Sequence, residues 1–142
     1  MYGMLDVSTS GMVAQRIRLT AIAANIANKD AVLDENGRVN PYRARQVLLA
    51  PGNAGASSAQ GRELGVHVAS IDVDQSPFNL SHDPSSPLAY KEGPYKGYVP
   101  STNVNAVVEQ VNALEASRAY EANVVAAEAT KTMMAQALRL LA

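Results

Sequence analysis

The sequence predicts a mainly α fold with a small β-rich insert, and three observations lead there. All seven prolines and seven of the nine glycines fall in residues 29–103. Residues 4–28 are apolar, Ala-rich and free of Pro, and residues 104–142 contain neither Pro nor Gly. Apolar residues recur at helical spacing in both terminal stretches. Helix breakers are thus excluded from the ends and concentrated in the middle. The predicted organisation joins both termini, 1–28 and 104–142, into one helical core domain built as an antiparallel coiled-coil pair. Residues 29–103 form an outer domain of short strands and extended loops.

In the N-terminal stretch, Leu5, Met12, Leu19 and Ile26 recur every seven residues and share one stripe. Ile22 and Ala23 broaden it, and Val13 and Ile17 form a second apolar patch. Asp6 or Ser8 is the expected cap. Gly11 costs roughly 1 kcal/mol against Ala inside a helix, which makes sense where another backbone approaches closely.

In the middle, Tyr42–Ala50 predicts a strand, and Gly52–Gly61 a mobile Gly/Ala/Ser-rich loop. Val66–Val73 predicts a second strand, with a bulge at Ala69–Ser70 where the alternation changes phase. Ser76–Tyr98, stiffened by Pro77, Pro84, Pro87 and Pro94, predicts an extended arm, with a hairpin at the Glu92–Gly93 turn as the alternative.

The C-terminal stretch predicts a longer helix, with Asn103 or Asn105 as its cap and Glu109 favourable near its positive end. Val104, Val107, Val111 and Leu114 form one apolar run. Val124, Ala127, Met134, Leu138 and Leu141 form a second, slightly out of heptad phase with the first. Such a drifting stripe suits partners on more than one side. One seam between two helices does not consume all this apolar surface, and the surplus points to partner chains.

Composition excludes several function classes. A net charge of −1 leaves no basic surplus to neutralise phosphates, so nucleic acid is not an expected partner. The absence of Cys excludes thiol chemistry, disulfides and Cys-based zinc sites. No long apolar run predicts a membrane span, and the N-terminus lacks the pattern of a cleaved signal peptide. His67 and His82 lack a third metal ligand, and Asp72 and Asp74 lack the rest of a calcium loop. Neither a nucleophile elbow nor a phosphate loop occurs. Glu115, Glu121 and Glu128 are explained by pairing with Arg118 and Lys131 at helical spacing. No catalytic, metal or cofactor site, and no small-molecule substrate, is expected.

Two segments look specified beyond helix formation. In Asn25-Ile26-Ala27-Asn28, two asparagines close an apolar helix, as a simple stop or as hydrogen-bonding side chains at a turn. Arg118-Ala119-Tyr120-Glu121-Ala122-Asn123 sets four polar residues in a helix otherwise made of Ala and Val. It is either a solvated face or a buried polar network that fixes register. A soluble helical-hairpin adaptor or chaperone of an export system remains compatible with these features alone.

Ser10-Gly11-Met12-Val13-Ala14-Gln15-Arg16, then Leu19, Ala23 and Asn25-Ile26-Ala27-Asn28, resemble the N-terminal signature of flagellar axial proteins, the rod, hook and hook-associated subunits. Gly97-Tyr98-Val99, Asn103-Val104-Asn105, Glu109, Arg118–Asn123 and Lys131-Thr132-Met133 are similar to the short proximal-rod members, and the chain length agrees. The resemblance implies a non-enzymatic subunit of the basal-body rod in the periplasm. It implies export without a cleaved signal by the flagellar type III apparatus, and assembly with other rod proteins and copies of itself. Terminal helices of the family build an inner tube around the export channel, and the middle forms an outer domain. The expected packing positions are Leu5, Met12, Leu19, Ile22, Ile26, Val104, Val111, Leu114, Met134, Leu138 and Leu141. The expected register positions are Asn25, Asn28, Asn103, Asn105, Arg118, Tyr120, Glu121 and Asn123. Before assembly the termini should be poorly ordered, because lone helices with unburied stripes are marginal.

Overall fold

The computed structural model describes residues 2–141, with side chains described for residues 3–140, and its two long helices come from the two ends of the chain. Helix α1 runs from Tyr2 to Ala27, about 39 Å at roughly 1.5 Å per residue. It begins earlier than the expected caps, so Asp6 and Ser8 lie inside it. Its end is closed by Asn28, whose backbone N–H (3.1 Å) and side-chain amide (2.8 Å) both donate to the Ala24 carbonyl. Helix α3, Ala106–Leu141, is about 54 Å long by the same rise. Asn105 caps it, with Oδ1 accepting from the N–H groups of Val107 (3.0 Å) and Val108 (3.3 Å).

Between the helices lie two small antiparallel sheets. Strand β1, Arg45–Pro51, pairs with β2, Val66–Val73; β3, Asn79–His82, pairs with β4, Tyr98–Ser101. The register of β1 against β2 slips between Leu48, opposite Ser70, and Leu49, opposite Val68. Ala69 is the extra residue, and the bulge falls where the alternation predicts it. Of the two readings of the segment after Ser76, the structure has the hairpin. Its two strands are joined by residues 83–97, which turn at Gly93 and Gly97, both with positive φ.

The Gly/Ala/Ser-rich loop is more ordered than its composition suggests, because its last three residues begin helix α2, Ala59–Leu64. The Ser58 hydroxyl accepts from the Gly61 N–H at 3.0 Å, and the Ser58 N–H donates to the Asp6 carboxylate at 2.9 Å. Asp6 thus fastens α2 to α1 instead of capping α1. Further along, the Ser10 hydroxyl accepts from the Val66 N–H at 3.0 Å and binds the start of β2 to the same helix.

Helices α1 and α3 run antiparallel. Arg18 meets Glu115 at 3.0 Å, Asn25 meets Glu109 at 3.1 Å, and Gly11 lies under Asn123. Apart from Ile22, the buried positions of this seam are small or polar: Gly11, Ala14, Ala21 and Asn25 on α1, with Ala116 and Thr130 on α3. Leu5, Met12, Leu19 and Ile26 flank the seam half-buried. The heptad stripe therefore marks the edge of the pair, and its centre consists of residues small enough to let two backbones come close.

The Ser58 hydroxyl and N–H hold the Asp6 carboxyl below its ordinary value of 3.8. A carboxyl depressed on folding contributes stability above its unfolded value, and that contribution is lost as pH falls through the folded one. Asp6→Ala should lower the urea midpoint at neutral pH, and the gap to wild type should close as pH drops below 3.8. A gap that stays constant across that range would remove the charge from the account.

Candidate assembly interface

Asn25, which is 1% exposed, joins three elements through its side chain. Its Oδ1 accepts from the Arg45 N–H at 2.9 Å and from the Tyr42 hydroxyl at 3.1 Å. Its Nδ2 donates to the Arg45 carbonyl at 2.9 Å and to the Glu109 carboxylate at 3.1 Å. A carboxamide offers two acceptor sites and two donor hydrogens, so every one is used. One residue thereby joins α1, the first peptide groups of β1, and α3. Both readings of the Asn25–Asn28 segment hold, divided between its ends: Asn28 stops the helix and Asn25 joins elements.

A second asparagine ties the sheets together. Asn103 Oδ1 accepts from the Ala44 N–H at 2.8 Å, while Nδ2 donates to the Asp74 carbonyl at 3.2 Å and the Ser76 hydroxyl at 3.1 Å. The Arg43 guanidinium donates to the carbonyls of Asp74 and Ser76 at 3.2 and 2.9 Å and stacks 4.1 Å from the Phe78 ring centre. The Ser76 N–H and hydroxyl, aided by Arg43, lower the pKa of Asp74. Beside them, the buried Thr102 hydroxyl donates to the Lys29 carbonyl just beyond α1. Asn103 is thus a cross-brace, and capping of α3 is left to Asn105.

The polar segment of α3 divides. Asn123 enters the seam, where its side chain donates to the Ala119 carbonyl at 2.7 Å and its amide covers Gly11. A Cβ on Gly11 would sit 2.6 Å from Asn123 Oδ1. Arg118, Tyr120 and Glu121 are exposed, Arg118 and Glu121 on the side away from the seam, so within one chain they are solvated and form no buried network. Glu115 pairs across the seam with Arg18 rather than along its own helix with Arg118. With the Glu115 side chain 65% exposed, that pair is worth about 0–1 kcal/mol.

The expected packing residues fall into three groups. Ile22 is buried, and Val104 and Met134 are half-buried with Leu5, Met12, Leu19 and Ile26. Val111, Leu114 and Leu138 are 61%, 53% and 67% exposed, so no contact within the chain covers them. The Leu141 side chain lies outside the described residues. Val107, Val111 and Leu114 stand on one line of α3, on the side away from Ala116 and Thr130, and the exposed Arg118 and Glu121 continue that line before Val125. Past Thr130, α3 outruns α1 and carries the exposed Leu138 and Leu140.

Sequence reasoning missed the contacts that join distant segments: Asp6 to Ser58, Ser10 to Val66, and Asn25 to Tyr42, Arg45 and Glu109. Their signal was limited to polar residues at otherwise apolar helical positions. Among the described residues no group of three or more His, Asp or Glu side chains is placed to hold a metal. The polar groups of the junction are engaged with one another, which suits them to fixing geometry.

Comparison with known proteins finds matches at both ends of the chain. The family model described as "Flagella basal body rod protein" matches residues 5–32, within α1 and just beyond it. The model "Flagellar basal body rod FlgEFG protein C-terminal" matches residues 95–140, from the end of the hairpin through α3. Both ends thus carry the defining segments of flagellar basal-body rod proteins. Over nearly the whole chain the sequence is similar to proteins named flagellar basal-body rod protein FlgC. The relative from Borreliella burgdorferi is 37% identical over 150 residues, spanning 99% of this chain and 97% of the relative. The relative from Escherichia coli O157:H7 is 42% identical over 135 residues, spanning 95% and 93%. That from Bacillus subtilis is 38% identical over 146 residues, spanning 96% and 95%. The chain belongs to the FlgC family.

Two substitutions test the junction and the seam. Asn25→Ala strands the Arg45 peptide groups in a buried site and should cost roughly 3 kcal/mol in urea unfolding; a loss within ±0.5 kcal/mol would show the junction to be incidental. Gly11→Ala gains helix propensity but meets Asn123. It should therefore be better tolerated in an Asn123→Ala background, with a coupling energy of about 0.5–3 kcal/mol in a double-mutant cycle. Additive effects would separate the two residues.

Proposed function

We propose that this chain, a structural subunit of the flagellar basal-body rod, occupies the proximal part of the rod and has no enzymatic activity. Residues 1–28 and 104–142 would pack with the same segments of other rod proteins and of further copies into a helical tube. Residues 29–103 would form its outer domain. The tube would carry torque and enclose the export channel. The subunit would reach the periplasm through the flagellar type III apparatus without a cleaved signal.

One observation carries this reading: the uncovered apolar patch of Val107, Val111 and Leu114 on α3, opposite the seam, with Val125 further along the same line beyond Arg118 and Glu121. Contiguous exposed apolar surface marks a protein or membrane contact. Among the described residues no helix is long and apolar enough to cross a membrane. A helix with one face against α1 and an apolar line on the other has the form of an element held between neighbours. Head-to-tail helical assembly provides different neighbours on different faces. Arg118 and Glu121, on that line between Leu114 and Val125, and Tyr120, nearer the seam, would set register between subunits, with Asn123 doing so inside one.

Leu138→Asp should leave expression unchanged and abolish incorporation into rods, since it places a carboxylate in a surface that assembly buries. Incorporation at the wild-type level would refute that placement. Deleting the gene should give non-motile cells whose isolated basal bodies lack a rod in electron micrographs, with both defects reversed by complementation. Swimming cells with intact rods would overturn the functional reading.

A further inference from the structure

We infer that Asn36 is a site of spontaneous deamidation. Asn36 and Gly37 lie at the tip of an exposed turn that rests on the isolated bridge between Leu33 and Val39. Gly37 has a φ of +72° and nothing within 4 Å of the position a side chain would take. Without a side chain at Gly37, its backbone nitrogen can approach the Asn36 carboxamide carbon unhindered.

The other asparagines are held or blocked. The side chains of Asn25, Asn28, Asn53, Asn79, Asn103, Asn105 and Asn123 all make hydrogen bonds. Asn40 precedes Pro41, whose nitrogen carries no hydrogen to lose. Asn112 lies within α3, where the following N–H belongs to the helix. Among the described residues Asn36 alone combines exposure, a side chain without a hydrogen bond, and a following glycine.

The step balances with water as the only co-reactant. The Gly37 nitrogen bonds to the Asn36 side-chain carbonyl carbon and loses its proton. The bond from that carbon to the amide nitrogen breaks, and ammonia leaves with the proton. Water then opens the five-membered imide at either carbonyl, leaving aspartate or isoaspartate. Aspartate adds a negative charge beside Asp34 and Glu35. Isoaspartate also lengthens the backbone by one carbon inside the turn.

The fold places one restraint on the reaction. The Gly37 N–H donates to the Asp34 carbonyl at 3.0 Å, and Asp34 Oδ1 accepts from the N–H groups of Asn36 and Arg38 at 2.9 and 2.8 Å. The turn must open before Gly37 can attack, so Asp34 sets the rate from outside the reacting atoms.

The test is incubation of the purified full-length chain at neutral pH in water enriched in heavy oxygen, followed by peptide mass mapping. A synthetic peptide of residues 33–39 serves as the clock. Wild type should gain one mass unit plus the oxygen label at Asn36, while Asn53 and Asn105 stay unchanged. Asn36→Gln should remove the gain, and Asp34→Ala should accelerate it by loosening the turn. Conversion of the peptide with none in the folded chain would overturn the proposal, as would equal conversion at Asn53. An unchanged rate in Asp34→Ala would overturn the gating by the turn.

Discussion

Four hydrogen bonds on one carboxamide hold the parts of this molecule in relation to one another. Asn25 is the point at which α1, β1 and α3 meet, and it is closed to water. A buried carboxamide is costly when any of its four sites is left open. Here each site is filled by a group from elsewhere in the chain, so only one placement of the three elements meets the requirement. The remaining contacts extend that placement. Asp6 and Ser10 carry it along α1 to α2 and β2, and Asn103 carries it from β1 to the second sheet.

The seam between α1 and α3 follows the same logic of close fit. Gly11, Ala14 and Ala21 on one side and Ala116 on the other leave little room between backbones. A narrow seam buries little apolar area, so dispersion and hydrophobic transfer hold the pair less strongly than in a leucine-rich bundle. The larger apolar side chains are displaced to its flanks and to the outer side of α3. The proposed packing against other rod subunits would cover those positions.

Much of this was legible in the sequence where the signal is local. The proline and glycine distribution marks where the helices stop, and the change in alternation at Ala69–Ser70 marks the bulge in β2. Asn105 is recognisable as a cap. The rest depends on contacts between segments far apart in the chain. Asp6 has the form of a helix cap until Ser58 is placed opposite it, and Glu115 pairs with nearby Arg118 on paper but with Arg18 in space. The heptad count finds large apolar residues and passes over Gly11 and Ala14, because hydrophobic periodicity ranks residues by size and transfer energy. A seam made of small residues is nearly silent on that scale. The motif Arg118–Asn123 was visible as a unit, yet its members face different ways, and only Asn123 enters the seam.

The way Asn25 holds β1 carries a consequence for how such a protein can diversify. Asn25 grips the N–H and carbonyl of Arg45 and leaves its side chain to the surface. Every amino acid except proline presents the same two groups there. The anchor is therefore indifferent to what the outer strand displays. Lineages can rewrite the outward face of residues 45–51 to suit different surroundings while the anchoring of that strand to the helices stays as it is.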